Sequence, residues 1–552
     1  MSYKINQELC SCCHRCRVEC PVHAIRFLGA KYWIDPDKCI SCGHCATVCH
    51  NDVISDPENN VTAEPHPKQE LDCEVLVIGA GASGLAAAAK AAESGKRVLV
   101  IEKNKEIGGS AWYAHVFRSH WSVWHREARL SDQREELCQE FMEKTGRTVD
   151  EALLRRILKA NADFIDWLIE RHELGKDFTF GPQFWGGFGP NPTYEWEYNK
   201  KRIDTTIAPG GTGWFLTNKL LNILLDNGGR ILYRTAAKRI LLDDSGAVSG
   251  VLASDPGGEV KITCEKCVVA AGAISRNPEL VRQFNPIFYG TPEDEPVHVF
   301  TCATCTGDGV IMCREIGADI DYKNARVGMF GPMRHPFGTP SIAAARNHYG
   351  VDITRAGDRF YGETDHLLSS DIVPLAYVPG RMLWHVLDER GVERAETEAI
   401  GRAPDVPGID MDRLYRNWKA DLQEEASWGT LAIADTLEEL AEKMNIPADK
   451  LRDAVESFNH DPASPCQIGP EGPFYAVWEK LFHENALGGM VIDAHLRVLK
   501  QGIPIPGLYA AGDNTRGIMV DGPIGATYIE PTISALTFAF CSGFAAGQEV
   551  TG

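Results

Sequence analysis

The sequence predicts an α/β chain, a Rossmann-like dinucleotide-binding fold preceded by a small cysteine-rich unit. Three observations carry this. Half of the 18 cysteines stand within the first 50 residues. A strand, glycine, helix, strand and acid succession starts at Cys73, and a second apolar run ending in glycine, Gly507-Leu-Tyr-Ala-Ala-Gly512, stands near the carboxyl end. At 552 residues the chain exceeds one ordinary domain, so more than one core is expected.

Composition narrows the function classes first. Lys plus Arg number 56 against 76 Asp plus Glu, a net charge of −20. That balance repels phosphate backbones and anionic bilayers, which weighs against nucleic acid and membrane surfaces as partners. With 44% hydrophobic and 24% charged residues the bulk of the chain is expected to fold. The amino terminus carries no apolar leader, and no run of roughly 18 apolar residues occurs; Ala535 to Ala546 is short and interrupted by Gly543. A cytoplasmic protein is therefore expected, and dense cysteines in that reducing compartment read as metal or redox ligands rather than disulfides.

The cysteine-rich unit comes first in the chain. Cys10, Cys13, Cys16 and Cys20 have C-x2-C-x2-C-x3-C spacing followed by Pro21, and Cys39, Cys42, Cys45 and Cys49 repeat it with His50 next. Three thiolates in two short turns can each hold one corner of a cubane while the fourth ligand comes from the other repeat. Segment 1–58 resembles the two-cluster bacterial ferredoxins, an α+β fold in which proline is usual where His50 stands. The resemblance implies two [4Fe–4S] clusters: Cys10, Cys13, Cys16 and Cys49 hold one, and Cys39, Cys42, Cys45 and Cys20 the other. A pair of zinc knuckles is the alternative, although four-cysteine zinc sites do not require two interleaved runs of this kind. Cys12 falls outside the register. Two further C-x2-C pairs occur, Cys264/Cys267 and Cys302/Cys305. The first lies in a valine-rich strand pattern that would point its thiols to opposite faces, and both pairs read as buried thiols sooner than as a third metal site.

A linker at 59–72, charged and containing proline, precedes the nucleotide-binding unit. Cys73-Glu-Val-Leu-Val-Ile reads as a strand, followed by Gly79-Ala-Gly81-Ala-Ser-Gly84, an alanine-rich helix to about Ser94, and a second strand running into Glu102, 23 residues beyond Gly79. Gly79 permits the tight turn, Gly81 lets a pyrophosphate approach the backbone, and Gly84 lets helix and strand pack. Glu102 then stands where an acid meets a ribose hydroxyl.

Three further stretches decide which dinucleotide by resemblance: Gly108-Gly109-Ser110, Val268-Val-Ala-Ala271-Gly272-Ala with Asn277-Pro-Glu279, and Gly507 to Gly512-Asp513. With them 73–552 resembles the flavoprotein family of soluble fumarate reductases, succinate dehydrogenase flavin subunits and 3-ketosteroid Δ1-dehydrogenases. Thr306-Gly-Asp-Gly309, Ile316-Gly-Ala318, Ala434 to Ala441, Pro473-Phe-Tyr-Ala476 and Leu487-Gly-Gly-Met490 stand in that family's order. The resemblance implies FAD, held by Gly79, Gly81, Ser83, Gly84, Glu102, Lys103, Gly108, Gly109, Ser110, Ala271, Gly272, Gly512, Asp513, Ala526 and Thr527. It also implies a doubly wound FAD domain built from 73–290 and 431–552, with an α+β capping domain inserted at 291–430. No second G-x-G-x-x-G follows a strand, so electrons are expected to reach the flavin through the clusters from a ferredoxin-like partner.

The same resemblance bears on chemistry. Gly357-Asp-Arg359-Phe360-Tyr-Gly-Glu363 resembles the family's G-x-R-F-x-x-E motif, whose neighbourhood carries a proton path in fumarate reductases. Glu363 is the acid here, with His366 nearby where a second arginine is sought; Arg359 and Glu363 read equally as a structural ion pair. Asn485 replaces a substrate-gripping histidine, and Met519 to Tyr528 replaces an arginine-containing stretch, so fumarate itself is not expected to be the substrate. Gly522-Pro-Ile-Gly525-Ala-Thr is similar to a ketosteroid-dehydrogenase turn, which makes the Gly525 amide an oxyanion candidate and Tyr528 a possible hydroxyl donor. The aromatic run Ser110 to Trp124 reads either as a ring-binding pocket or as core. The expected function is an anaerobic FAD and iron–sulfur oxidoreductase that reduces, or forms, a C=C bond conjugated to a carbonyl. Its rival is an electron-transfer subunit with no small substrate.

Overall fold

The computed structural model describes residues 2–7, 9–10, 15–28, 31–55, 69–114, 117–127, 129–144, 146, 148–173, 179–181, 204–207, 212–284, 298–299, 301–322, 327–332, 349–360, 378, 382–394, 422–427, 429, 431–464, 466–485, 488–518, 533 and 535–552. Among them no helix is long and apolar enough to cross a membrane.

A six-stranded sheet forms the centre. Five strands run parallel in the spatial order Arg230–Leu232, Val98–Ile101, Val75–Ile78, Lys266–Val269, Ile503–Ala510, and Arg497–Lys500 closes one edge antiparallel. Val75–Ile78 and Val98–Ile101 are buried at every residue, as strands covered on both faces must be, and this explains their unbroken runs of Val, Ile and Leu. The chain runs outward from Val75–Ile78 in one direction and then continues on its other side with Lys266–Val269. That reversal opens a crevice at the carboxyl ends of the two strands, where Gly79 and Ala270 lie.

Small residues set the layer beside the sheet. Helix Ala82–Glu93 carries seven alanines, all of them buried, and helix Ala535–Glu549 packs on it through Gly543, where a Cβ would lie 2.1 Å from the Ser83 carbonyl oxygen. Helix Glu151–His172 covers the outer side. It starts at Asp150, whose carboxylate accepts the Leu153 N–H at 3.1 Å, and its Phe164 stacks on Phe540 with centroids 5.6 Å apart. A four-stranded sheet, Ala236–Leu242, Val248–Asp255, Gly258–Thr263 and Gln69–Asp72, flanks this layer. Residues 69–72 thus belong to a strand paired parallel with Gly258–Thr263, whereas the sequence reading ended the linker at 72.

A second body is inserted between Lys266–Val269 and the returning edge of the central sheet. Its seven-stranded sheet is built on Phe474–Asn485, which pairs with His298–Val299, Val327–Pro332, Met382–Asp388 and Leu431–Ala434; Val351–Thr354 and Arg359–Phe360 extend the far side. Residues 431–485, which the sequence reading grouped with the carboxyl-terminal half of the nucleotide-binding unit, therefore build this body. Both placements satisfy the same apolar pattern, and only strand pairing distinguishes them. Alternation sorts its faces: Val351, Ile353, Met382, Trp384 and Val386 pack with helices Leu437–Met444 and Ala448–His460, whereas Leu383 and Phe360 join the core of the nucleotide-binding unit.

The cysteine-rich unit is two short antiparallel pairs, Lys4–Ile5 with Ile54–Ser55 and Ile25–Leu28 with Lys31–Ile34, around helices Arg15–Val18 and His44–Val48. Its core contains Cys16, Cys20, Cys45, Cys49, Ala24, Ile25 and Tyr32, and it includes Ala303 from the larger unit.

Candidate functional site: a dinucleotide cradle against a cysteine-rich unit

The cradle follows from backbone that only glycine supplies. Gly79 has φ +103°, and a Cβ there would lie 2.3 Å from the Ala270 carbonyl oxygen. A Cβ on Gly84 would come within 1.9 Å of the Gly79 carbonyl oxygen, so helix and strand touch at that point. Gly81 differs: φ is −78°, and the nearest described atom to a Cβ would be the Gly108 carbonyl oxygen at 3.9 Å. The space in front of Gly81 is open, and helix Ala82–Glu93 begins there with no side-chain cap on its N–H groups. Open space, uncapped donors and the positive helix end suit a pyrophosphate.

The remaining walls converge on the same crevice. Glu102, fully buried, accepts the N–H of Ala80 and of Asn104, each at 2.7 Å. Burial nevertheless pushes its carboxyl up, with those two donors opposing. Lys103 reaches Thr306 Oγ1 at 2.6 Å and Asp308 Oδ2 at 2.7 Å, tying the second strand to the Thr306-Gly-Asp-Gly309 turn. On the far wall the Gly512 N–H donates to Ser542 Oγ at 3.0 Å, and a Cβ on Gly512 would strike Ser83 Oγ at 2.5 Å. Gly81, Glu102, Lys103, Gly108, Ala271, Gly272, Gly512 and Asp513 lie at the ends of the central strands or in the segments that follow them, Ser83 and Gly84 in the first turn of helix Ala82–Glu93, and Gly109 and Ser110 at the start of the short helix Gly109–Tyr113. Ala526 and Thr527 lie outside the described residues. The residues present fit a dinucleotide.

Seven of the eight cysteines in the repeated spacing are described; Cys13 is not. Cys16, Cys20, Cys45 and Cys49 are buried, Cys10 and Cys39 are half-buried and Cys42 is exposed. Burial pushes the Cys45 thiol up to about 11, and Cys39, Cys42 and Cys20 add to the shift as neighbouring thiolates. The Cys49 thiol is likewise pushed up by burial, with Cys10 as its thiolate neighbour. Cys20, Cys39, Cys42 and Cys45 also line one small cavity with Pro21 and Ile25. Thiols gathered this closely ionise together only around cations, so the donor set fits an iron–sulfur centre.

The two units meet at the cradle. The ring of His50, next to Cys49, is completely buried; its Nδ1 lies 2.9 Å from Glu106 Oε1 and its Nε2 donates to the Gly109 carbonyl at 3.2 Å. Burial alone would lower its pKa, but the Cys302 thiol and Glu106 raise it to about 9. The ring stacks on Trp112 at 4.6 Å and 13°, and the Arg15 guanidinium sits 5.0 Å over the same indole. Trp112, which the sequence reading left between substrate pocket and core, faces the cysteine-rich unit.

Cys302 and Cys305, expected to be ordinary buried thiols, are buried at this seam. The Cys302 N–H donates to Ser110 Oγ at 3.3 Å, and that oxygen lies 3.2 Å from Cys305 Sγ. Burial pushes the Cys305 thiol up to about 12. For Cys302 burial acts in the same direction, but the facing His50 prevails and the net shift is downward. Their C-x2-C spacing was visible in sequence, but the partners that give it meaning were not.

Of the residues proposed for chemistry, Arg359 alone is described. Its guanidinium pairs with Asp461 at 3.0 Å, donates to the Ser457 carbonyl and to Ser464 Oγ at 3.2 Å each, and lies 5.1 Å over Phe458. The structure places it in an ion pair with Asp461 inside the second body, a partner other than the Glu363 that the sequence offered for a structural ion pair. Glu363, His366, Gly525 and Tyr528 lie outside the described residues.

A family model described as an FAD binding domain matches residues 74–522, and one described as a 4Fe-4S binding domain matches residues 32–55. The urocanate reductase of Eggerthella lenta is 25% identical over 490 residues, covering 83% of this chain and 72% of that protein. The NADH:fumarate oxidoreductase of Klebsiella pneumoniae is 26% identical over 495 residues, covering 87% of this chain but only 48% of that protein, so this chain spans about half of it. In fold, the chain is similar to the 3-ketosteroid-Δ4-(5α)-dehydrogenase of Rhodococcus jostii RHA1, with a TM-score of 0.62 and 22% identity over 89% of this chain and all of that one. The chain belongs to the FAD-binding-domain family of flavoproteins and carries a 4Fe-4S binding domain ahead of it.

Proposed function

We propose that this protein is an iron–sulfur flavoprotein oxidoreductase that reduces a C=C bond conjugated to a carbonyl, or forms one in the reverse direction. The observation that carries the reading is the second body, inserted into an FAD-binding chain and pressing Phe360 and Leu383 onto the core of the nucleotide-binding unit. A body in that position shields a crevice from water, which hydride chemistry needs. The relatives named for urocanate and fumarate both act on a C=C bond conjugated to a carboxylate.

FAD bound in the cradle supplies hydride exchange at N5, and iron–sulfur clusters supply single electrons. The chain's own residues do the rest. The cradle glycines and Glu102 orient the dinucleotide. Glu363 and His366 deliver the proton to the α-carbon, and the Gly525 amide with the Tyr528 hydroxyl polarises the substrate carbonyl. Arg359, held by Asp461, positions the strand leading to Glu363. Two electrons and two protons are consumed for each double bond. Two clusters would be held, one by Cys10, Cys13, Cys16 and Cys49 and one by Cys20, Cys39, Cys42 and Cys45; the thiolate neighbours of Cys45 and Cys49 and the cavity shared by the second set support this grouping. A ferredoxin-like protein of the cytoplasm supplies the electrons.

The test is anaerobic. Protein reduced with dithionite is mixed with urocanate, cinnamate-like enoates and cyclic enones, and flavin reoxidation is followed. At least one class is expected to reoxidise the flavin with formation of the saturated product. Failure of every acceptor, alongside rapid electron exchange with reduced ferredoxin, would make the protein an electron-transfer subunit.

A further inference from the structure

We propose that His50 and Trp112 form the contact through which electrons pass between the cysteine-rich unit and FAD, which makes Cys10, Cys13, Cys16 and Cys49 the inner thiolate set and Cys20, Cys39, Cys42 and Cys45 the outer one. The inference rests on the reading of two clusters and FAD, and it adds a route and an order.

The route follows from adjacency. His50 is bonded to Cys49 and Arg15 to Cys16, two members of one thiolate set, and both side chains converge on Trp112, by stacking at 4.6 Å and by a cation over the ring at 5.0 Å. Trp112 lies in the short helix Gly109–Tyr113, which starts in the cradle. From Cys49 the path runs through covalent bonds to the imidazole and then across one 3.2 Å hydrogen bond to the Gly109 carbonyl. Tunnelling falls steeply with every through-space gap, and as far as the cradle this path crosses only that hydrogen bond or, through Trp112, the 4.6 Å ring stack.

The seam is held firmly. The His50 carbonyl accepts from Asn104 Nδ2 at 2.8 Å, the Ala46 carbonyl from Lys105 Nζ at 2.8 Å, and Asn51 Oδ1 from the Ala303 N–H at 3.1 Å. Asp52 pairs with Lys105 at 3.4 Å and with Arg234 at 2.9 Å. In the other set Cys20 and Cys45 are buried and Cys39 is half-buried, but Cys42 is exposed, and Ile40 between Cys39 and Cys42 is 62% exposed. A proline at position 50 has no side-chain N–H to donate to the Gly109 carbonyl.

His50→Ala and Trp112→Leu provide the test, each first assayed for iron and FAD content. Oxidised protein is mixed anaerobically with a substoichiometric pulse of dithionite, and the reduced-cluster signal is followed by rapid-freeze electron paramagnetic resonance beside flavin absorbance. With full cofactor content, both variants are expected to hold the cluster signal longer and to reduce flavin more slowly by an order of magnitude or more; His50→Gln, which can still donate to Gly109, should recover part of the rate. Wild-type transfer in a fully loaded His50→Ala or Trp112→Leu protein overturns the proposal. If His50→Ala loses cofactor, Trp112→Leu decides, and cofactor loss from both makes the contact merely structural and also overturns it. No organic acceptor is present in this measurement. Failure to reduce any C=C bond would therefore sink the proposed function and leave this inference standing, and wild-type transfer would do the reverse.

Discussion

The carbonyl oxygen of Gly109 accepts a hydrogen bond from His50 Nε2, so a residue of the cysteine-rich unit touches the main chain that cradles the dinucleotide. Glu106 holds the other ring nitrogen, and its own carboxyl lies below the ordinary range because contact with His50 outweighs burial. Glu106→Ala removes that charge-assisted partner, an interaction of about 1.5–3 kcal/mol. Hydrogen exchange is expected to rise at 108–113 and to stay unchanged at the distant strand Val248–Asp255. Unchanged protection at 108–113 would show that the seam does not depend on the imidazole.

Gly81 and Gly84 separate folding from binding. A Cβ on Gly84 collides with the Gly79 carbonyl oxygen at 1.9 Å, whereas on Gly81 it meets nothing closer than 3.9 Å. Gly84→Ala should therefore lower stability and yield protein without flavin. Gly81→Ala should fold with a normal melting temperature and bind FAD more weakly, because the added methyl group occupies pyrophosphate space. Tight FAD binding by Gly81→Ala, measured by titration of the flavin-free protein, would move the pyrophosphate elsewhere.

Iron content tests the two-cluster grouping. Two cubanes give about eight irons per chain, and loss of one leaves about four. Cys42→Ser should remove the outer set and Cys49→Ser the inner one, each halving the iron. A wild-type value near four would reduce the unit to one cluster, on the residues that the 4Fe-4S domain model covers.

The parts legible in sequence are those whose physics is local. Gly79, Gly81 and Gly84 lie within one turn of chain, and the unbroken Val and Ile runs on either side of them can only be buried strands. The cysteine spacings are local too. Pairing partners are not: Leu431–Ala434 and Phe474–Asn485 carry apolar patterns that suit either sheet, and only the register of Phe474–Asn485 with Met382–Asp388 on one side and Leu431–Ala434 on the other assigns them to the second body. His50 was visible as an odd residue after Cys49, but its meaning lies in Trp112 and Gly109, which chain folding alone brings to it. The same holds for Cys302, whose C-x2-C spacing says nothing of Ser110. Arg359 shows the converse, because a motif drew it toward chemistry while Asp461, far along the chain, holds it in the fold.

A buried pair in the second body gives a stability prediction. Asp352 Oδ1 and His385 Nδ1 lie 2.7 Å apart on directly opposed strand positions, and neither side chain is exposed. Breaking such a pair from one side costs about 3–5 kcal/mol, while apolar replacement of both members is often neutral. Asp352→Leu should lower the melting temperature markedly, and Asp352→Leu with His385→Leu should recover most of it. A double variant no better than the single would mean that the pair contributes to a wider polar network.

Arg359 and Glu363 should part company in kinetics. Arg359 is tied to Asp461, Ser457 and Ser464 and covers Phe458, so Arg359→Ala leaves Asp461 without its cation and removes packing over an aromatic ring. The expected result is a less stable second body, seen as faster exchange in Val351–Thr354 and Ala448–His460, with turnover of the remaining folded protein reduced only modestly. Under the proposed role of Glu363 as proton donor, Glu363→Gln should instead leave stability and flavin reduction intact and suppress turnover. Arg359→Lys distinguishes the two roles: a lysine can still pair with Asp461 but cannot reproduce the forked contacts. Partial recovery of stability without a change in the pH profile of turnover is expected for Arg359→Lys. A shifted pH profile in that variant would return Arg359 to the proton path.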